Sequence, residues 1–211
     1  MADETLAQMF WSRVEKSGDR PAQEFKREGR WENLTWRQYG EAVRELALGL
    51  LALGRAKGDA VALLSQSRSE WMQADFAILS AGCVTIPVYP SYTPEQLAYI
   101  VNDSDARTLI VENQEQLAKA LTIRGKMDRL AEIVVIERPA GQDPGVLTWE
   151  ELRRFRFVVK VTPPGSGLGT LDLTDRGKLL RAEVLTAVSK VPWEVADDEA
   201  KLIAKNVRFK I

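Results

Sequence analysis

Residues 59–93, DAVALLSQSRSEWMQADFAILSAGCVTIPVYPSYT, decide the fold. Ala60 to Leu64 is a short apolar run, as in a strand buried on both faces. Ser67-x-x-Glu70 fits a capping box and predicts a helix start. Trp71, Ala74, Ile78 and Ala81 then recur at spacings of three and four, which puts them on one helix face. Gly82 predicts the end of that helix. Val84 to Val88 is a second β-rich run, in which Pro87, with Pro90 just beyond, restricts where the strand can pair. Strand, helix and strand in this length make a βαβ unit, which implies a parallel sheet.

The pattern extends in both directions. Upstream, Thr5 to Lys16 reads as an amphipathic helix with Leu6, Met9, Phe10 and Val14 on its stripe. Ala22 to Lys26 and Trp31 to Thr35 read as a hairpin around Arg27–Arg30. Thr35-x-x-Gln38 caps a helix that buries Tyr39, Val43, Leu46, Ala47 and Leu50 and stops at Gly54. Downstream, Thr93 caps a helix with Pro94 at its first position and Leu97, Ile100 and Val101 on its apolar face. Arg107 to Val111 is a further buried strand, Gln114 to Leu121 a helix, and Glu132 to Ile136 another strand. Pro139 to Gly145 reads as a loop, and Thr148-x-x-Glu151 opens a short helix to Arg154. Alternating strands and helices argue for an α/β doubly wound sheet.

The same residues resemble the N-terminal part of long-chain fatty-acyl-CoA synthetases, in the adenylate-forming (AMP-binding) superfamily. The resemblance rests on Ser67–Ala74 (SRSEWMQA), Gly82–Pro94 (GCVTIPVYPSYTP) and Gln96–Ser104 (QLAYIVNDS), and runs from about residue 5 to Arg154. Val88-Tyr89-Pro90 followed by Thr93-Pro94-Glu95-Gln96 points to the long-chain branch. It implies the N-terminal part of an adenylate-forming-enzyme domain, with a parallel βαβ sheet and flanking helices. It also implies ATP, Mg²⁺ and coenzyme A as cofactors of the full-length family, and a fatty acid as substrate.

At Phe155 the character changes. FRFVVKVTPPGSGLGT is a β run followed by a Pro/Gly/Ser loop, a linker signal. Asp175 to Lys190 and Ala196 to Val207 read as helices, the first weakened by Gly177. The expected organisation is an N-terminal AMP-binding-like domain at 1–154, a linker at 155–170 and a mostly helical tail of no recognised family at 171–211. Residues 1–154 hold 19 basic and 23 acidic side chains, against 10 and 7 in residues 155–211. The whole chain is near neutral, at −1, so no global field attracts nucleic acid. No apolar run approaches the ~20 residues that cross a membrane, and the first twenty residues lack the order of a secretory signal. A cytoplasmic location is the expectation.

The chain has no histidine, which excludes Ser-His-Asp and Cys-His catalysis and His-ligated metal within it. One cysteine, Cys83, allows neither an internal disulfide nor a thiolate cluster, and its setting is that of a small buried residue. The resemblance implies a Ser/Thr/Gly-rich phosphate loop ending in Pro-Lys, a Gly-rich motif ending in Thr-Glu, an acidic ribose ligand and a C-terminal lysine. None occurs in this sequence. Pro164–Thr170 (PGSGLGT) is the nearest imitation, but it lacks Pro-Lys and fails both the Walker and the G-x-G-x-x-G spacing. Gly177-Lys178 is followed by Leu179 and so offers no Mg²⁺-binding hydroxyl.

Other candidates have plain structural readings. Tyr89, Pro90 and Tyr92 sit at a strand end, where α/β proteins bind ligands, but also suit turn packing. Trp71 suits a core, Asp103 and Asp105 a helix end, and Asp197-Asp198-Glu199 a solvated first turn. The sequence therefore assigns no catalytic, cofactor-binding or metal-binding residue. The expectation is a truncated relative of long-chain fatty acid–CoA ligases, inactive alone. The alternatives are a non-catalytic interaction module, or one part of a split synthetase. Self-association or a complementing chain is expected to cover an unfinished sheet.

Overall fold

The structure is a computed structural model. It describes residues 5–27, 29–137, 141 and 145–155, and the backbone of 159–160 and 172–173. A five-stranded parallel sheet forms the centre, in the order β4-β3-β5-β6-β7. Its strands are β3 (Ala60–Leu64), β4 (Val84–Val88), β5 (Thr108–Val111), β6 (Glu132–Val135) and β7 (Val146–Thr148). All five residues of β3 and all four of β5 are buried, so the apolar runs are strands covered on both faces. β4 lies at the sheet edge with Pro87 opposite Leu63, a place where a residue without an N–H is tolerated.

Before the sheet come α1 (Leu6–Ser17), the antiparallel hairpin β1 (Pro21–Arg27) and β2 (Arg30–Thr35), and α2 (Trp36–Ala52). The other α-helices among the described residues are α3 (Ser69–Ser80), α4 (Pro94–Asp103), α5 (Gln114–Thr122) and α6 (Trp149–Arg154). One face of the sheet packs on α1, α2, α3 and α6 through a cluster that includes Phe10, Tyr39, Leu46, Leu50, Ile78, Trp149 and Leu152. The other face packs on α4 and α5 through Leu97, Val101, Leu117 and Ala120. The capping boxes at Thr35/Gln38 and Thr148/Glu151 form as the sequence predicts, and Thr93/Gln96 forms another.

Three local expectations need correction. The Ser67/Glu70 capping box does not form. Arg68 is the N-cap of α3, with no side-chain cap, because the Glu70 carboxylate is held by Arg68 and Arg27 instead. The α1 stripe is rotated. Leu6 and Met9 are 64% and 53% exposed, while Phe10 and Trp11 are buried. Trp11 Nε1 donates to Ser80 Oγ at 3.0 Å, and the Phe10 ring stacks on Phe76 at 4.4 Å, so aromatic contacts with α3 set the rotation. Finally, β7 adds a fifth parallel strand where only a loop and a cap are predicted. Three half-buried residues carry too little pattern to read as a strand.

Residues 159–160 and 172–173 form a short antiparallel pair, β8 with β9. The helices expected at 175–190 and 196–207 lie outside the described residues.

Gly49 on α2 lets α6 approach closely. A Cβ there would meet the Leu152 backbone carbonyl and would lie 2.7 Å from Leu152 Cδ1. In an open helix Gly→Ala stabilises by about 1 kcal/mol. Here the sign should reverse. Gly49→Ala is expected to cost about 2 kcal/mol through overpacking and to lower the thermal midpoint by about 5 °C. Thermal unfolding followed by circular dichroism checks this, and an unchanged or raised midpoint would mean that α6 does not pack as described.

Candidate functional site

The strand order reverses at β3. From there the chain runs first to β4 on one side and later to β5, β6 and β7 on the other. Open α/β sheets leave a crevice at such a point, beyond the carboxyl ends of the strands. A cleft of about 270 Å³ lies there, lined by residues that follow β3, β4 and β5: Gln66, Pro90, Ser91, Glu112, Asn113, Glu115 and Gln116.

Short loops fix this rim. Gln66 N–H donates to Glu112 Oε2 at 2.8 Å, joining the segment after β3 to the segment after β5. Asn113 caps α5 by accepting from Gln116 N–H at 3.1 Å. Lys119 Nζ donates to the Pro90 carbonyl at 2.5 Å and ties the β4–α4 loop to α5. The Tyr89 and Tyr92 rings meet edge to face at 5.5 Å. Gln116 is 5% exposed, and its Oε1 has no hydrogen-bond partner among the described residues.

Arg68 organises the charge behind the crevice. Its Nε donates to Glu70 at 2.8 Å, and its Nη1 to Glu137 at 2.6 Å and Glu112 at 3.3 Å. Arg27 of the hairpin adds a second bond to Glu70 at 2.8 Å. One guanidinium thus links α3 to the segments after β5 and β6, and Glu70 carries the link to the hairpin. Burial opposes the Arg68 charge, but the hydrogen-bonded carboxylates of Glu70 and Glu137 outweigh it and hold the group charged. Burial likewise pushes the Glu70 carboxyl up, and the hydrogen bond from Arg68 with the nearby positive charge brings it net below the ordinary value.

The structure sorts the sequence candidates. Tyr89, Pro90 and Tyr92 do stand at the end of β4. Pro90 lines the crevice, and Tyr89 is 68% exposed. Trp71 is half-buried against the core and is not part of the lining of this crevice. Asp105 sits just past the end of α4 with φ +54° and pairs with Arg129 at 3.3 Å, beside Asp103 at the last residue of the helix. Cys83 is 4% exposed at the opposite, amino-terminal end of β4. Burial, reinforced by Asp59 and partly offset by Arg55, pushes its thiol up to about 12, so it is not a ready nucleophile. Pro164–Thr170 and Asp197–Glu199 lie outside the described residues. No group of three His, Cys, Asp or Glu side chains is placed to hold a metal ion among the described residues.

Sequence reading missed Gln66, Arg68, Glu112 and Gln116. Their signal was positional: each lies just after a fully buried strand or in the first turn of the helix that follows. Ser67 and Glu70 drew the eye to a cap instead.

The profile of the AMP-binding enzyme family matches residues 10–191, across this sheet and past Arg154. The chain belongs to the AMP-binding enzyme family. The long-chain-fatty-acid–CoA ligase ACSBG1 of Bos taurus is 35% identical over 149 residues, which is 70% of this chain and 20% of that protein. The long-chain-fatty-acid–CoA ligase FadD15 of Mycobacterium tuberculosis is 32% identical over 155 residues, or 74% and 24%. The chain therefore spans about a fifth to a quarter of the length of these curated relatives.

Among solved structures, the anthranilate CoA ligase AuaEII in complex with anthranoyl-AMP superposes with a TM-score of 0.63 at 23% identity, over 78% of this chain and 34% of that one. The A-PCP didomain of carboxylic acid reductase from Segniliparus rugosus gives 0.62 at 18% identity, over 81% and 29%. The parallel sheet with its flanking helices is thus the fold of adenylate-forming enzymes.

The family implies a nucleotide, but the described residues do not fit a triphosphate. The crevice is lined by amides, a serine, a proline and the carboxylates of Glu112 and Glu115, which repel phosphate. Among the described residues, each hydrogen bond of the Arg68 guanidinium goes to a carboxylate.

Two measurements test this electrostatic reading. In the folded state Glu70 titrates below the ordinary carboxylate value, so its contribution is present above that ordinary value and fades as pH falls through the folded one. Glu70→Gln should cost about 1.5 kcal/mol at about pH 7 and progressively less as pH falls below the ordinary carboxylate range, by urea unfolding. A cost that does not change with pH would show that charge is not the cause. Cys83 should resist a thiol-specific chromogenic reagent in the native protein at about pH 8 and react once denatured. Rapid native labelling would contradict its burial.

Proposed function

We propose that this chain supplies the N-terminal α/β layer of a long-chain fatty acid–CoA ligase and does not form acyl-adenylate by itself. The alignment with long-chain-fatty-acid–CoA ligases over 70% of the chain carries this reading. In such a ligase ATP activates the fatty acid through an acyl-adenylate, and the coenzyme A thiol then takes the acyl group. That chemistry needs phosphate donors, Mg²⁺ and a lysine aimed at developing charge. The sequence carries none of the motifs that the family resemblance implies for this work. The role left to residues 5–155 is positional: a rigid layer whose crevice faces the rest of a ligase. The division into a domain at 1–154, a linker at 155–170 and a tail at 171–211 belongs to this proposal, and so does action in the cytoplasm. No helix among the described residues is long and apolar enough to cross a membrane.

A second reading is a split ligase completed by another chain. The edge strand β4 favours it, since Val84 is 47% exposed there and Tyr89 and Tyr99 are each 68% exposed nearby. The purified chain, given a long-chain fatty acid, ATP and Mg²⁺, should release no AMP above a control without fatty acid. Fatty-acid-dependent AMP would overturn the proposal. Addition of a chain carrying the phosphate loop and lysine should restore activity if the second reading holds. Failure to co-purify with such a chain would remove that reading and leave the first intact.

A further inference from the structure

Four buried polar atoms at the amino-terminal end of the sheet lack a hydrogen-bond partner among the described residues: Arg55 Nε and Nη1, Thr108 Oγ1 and Glu132 Oε2. They are close in the fold. Thr108 opens β5 and Glu132 opens β6, and the two are registered neighbours. Ile110 and Val134, two residues further along each strand, belong to the cluster on the α2 side. Strand alternation therefore puts Thr108 and Glu132 on that same side. Arg55 enters from the loop after α2. Its Nη2 donates to the Leu53 carbonyl at 2.9 Å and lies 3.5 Å from Glu132 Oε2, an ion pair without hydrogen-bond geometry. Arg55 is 2% exposed and Thr108 0%.

Buried polar groups in folded proteins find partners. The atoms here are of mixed type: two guanidinium N–H donors, a hydroxyl that both donates and accepts, and a carboxylate oxygen that accepts. An anion would suit Arg55 but meet Glu132, and a cation would suit Glu132 but meet Arg55. A water molecule accepts from one and donates to the other, and two to four polar partners are what a buried water requires. We propose that an ordered water is bound here, bridging Arg55 and Thr108 to Glu132. The site pins the loop after α2 to the first residues of β5 and β6. It lies at the end of the sheet opposite the crevice and is independent of the proposed function.

The test turns on the sign of an isosteric change. If Thr108 Oγ1 is an orphan, Thr108→Val should be neutral or stabilising. If it is a water ligand, the change should lower the urea midpoint of the full chain by about 0.5 M. The proposal expects the fall, and a midpoint unchanged or raised overturns it. A high-resolution crystal structure of the unaltered protein is a second, independent test. A water within hydrogen-bond distance of Glu132 Oε2, Thr108 Oγ1 and an Arg55 nitrogen supports the proposal. A halide, a direct Thr108–Glu132 bond or any protein side chain at that position overturns it.

Discussion

β3 must be apolar on both faces, and most of the structure answers to that requirement. Its five residues are buried, and β4 and β5 pair with its two edges. Val61 and Leu63 face the helices of one layer, and Ala60, Ala62 and Leu64 face those of the other. A strand in this position cannot carry a polar group in mid-run, so polar chemistry is pushed to its ends. At the carboxyl end stand Gln66, Arg68 and the crevice. At the amino end stands the buried Arg55.

The two ends handle charge differently. Arg68 is partly exposed and meets three carboxylates at hydrogen-bond distance. Arg55 is almost fully enclosed and meets one, at 3.5 Å. Burial is the leading influence on Arg55 and draws its pKa down, with Glu132 acting against it. An ion pair in such a place recovers its desolvation only with good geometry and further hydrogen bonds, which is why the shortfall at Arg55 is informative.

Much of the fold was legible in the sequence because it rests on local rules. Thr35, Thr93 and Thr148 start helices through side chains that reach three residues ahead, and a reader sees both partners at once. Ala60–Leu64 announced a doubly buried strand by composition. What was not legible depends on distant partners. Glu70 looked like a capping residue until Arg27, 43 positions away, claimed it. The face of α1 was decided by Ser80 and Phe76, far along the chain. The crevice was legible only as a strand end bearing Tyr89, Pro90 and Tyr92. Its Glu112 wall needs the strand order, which no single segment states.

The close seat of α6 on α2 also bears on how the protein is made. Gly49 and Glu45 receive Leu152 and Arg153, the latter through an ion pair spanning 108 positions. A ribosome adding about 5–20 residues each second needs roughly 5–20 seconds to cover that interval. Throughout it, the groove on α2 faces water while β3, α3, β4 and the next βα units emerge and assemble. The nascent layer therefore has α2 finished on one side and open on the other, and α6 closes it. A chaperone that shields apolar helix faces has its natural window there, before Leu152 leaves the exit tunnel.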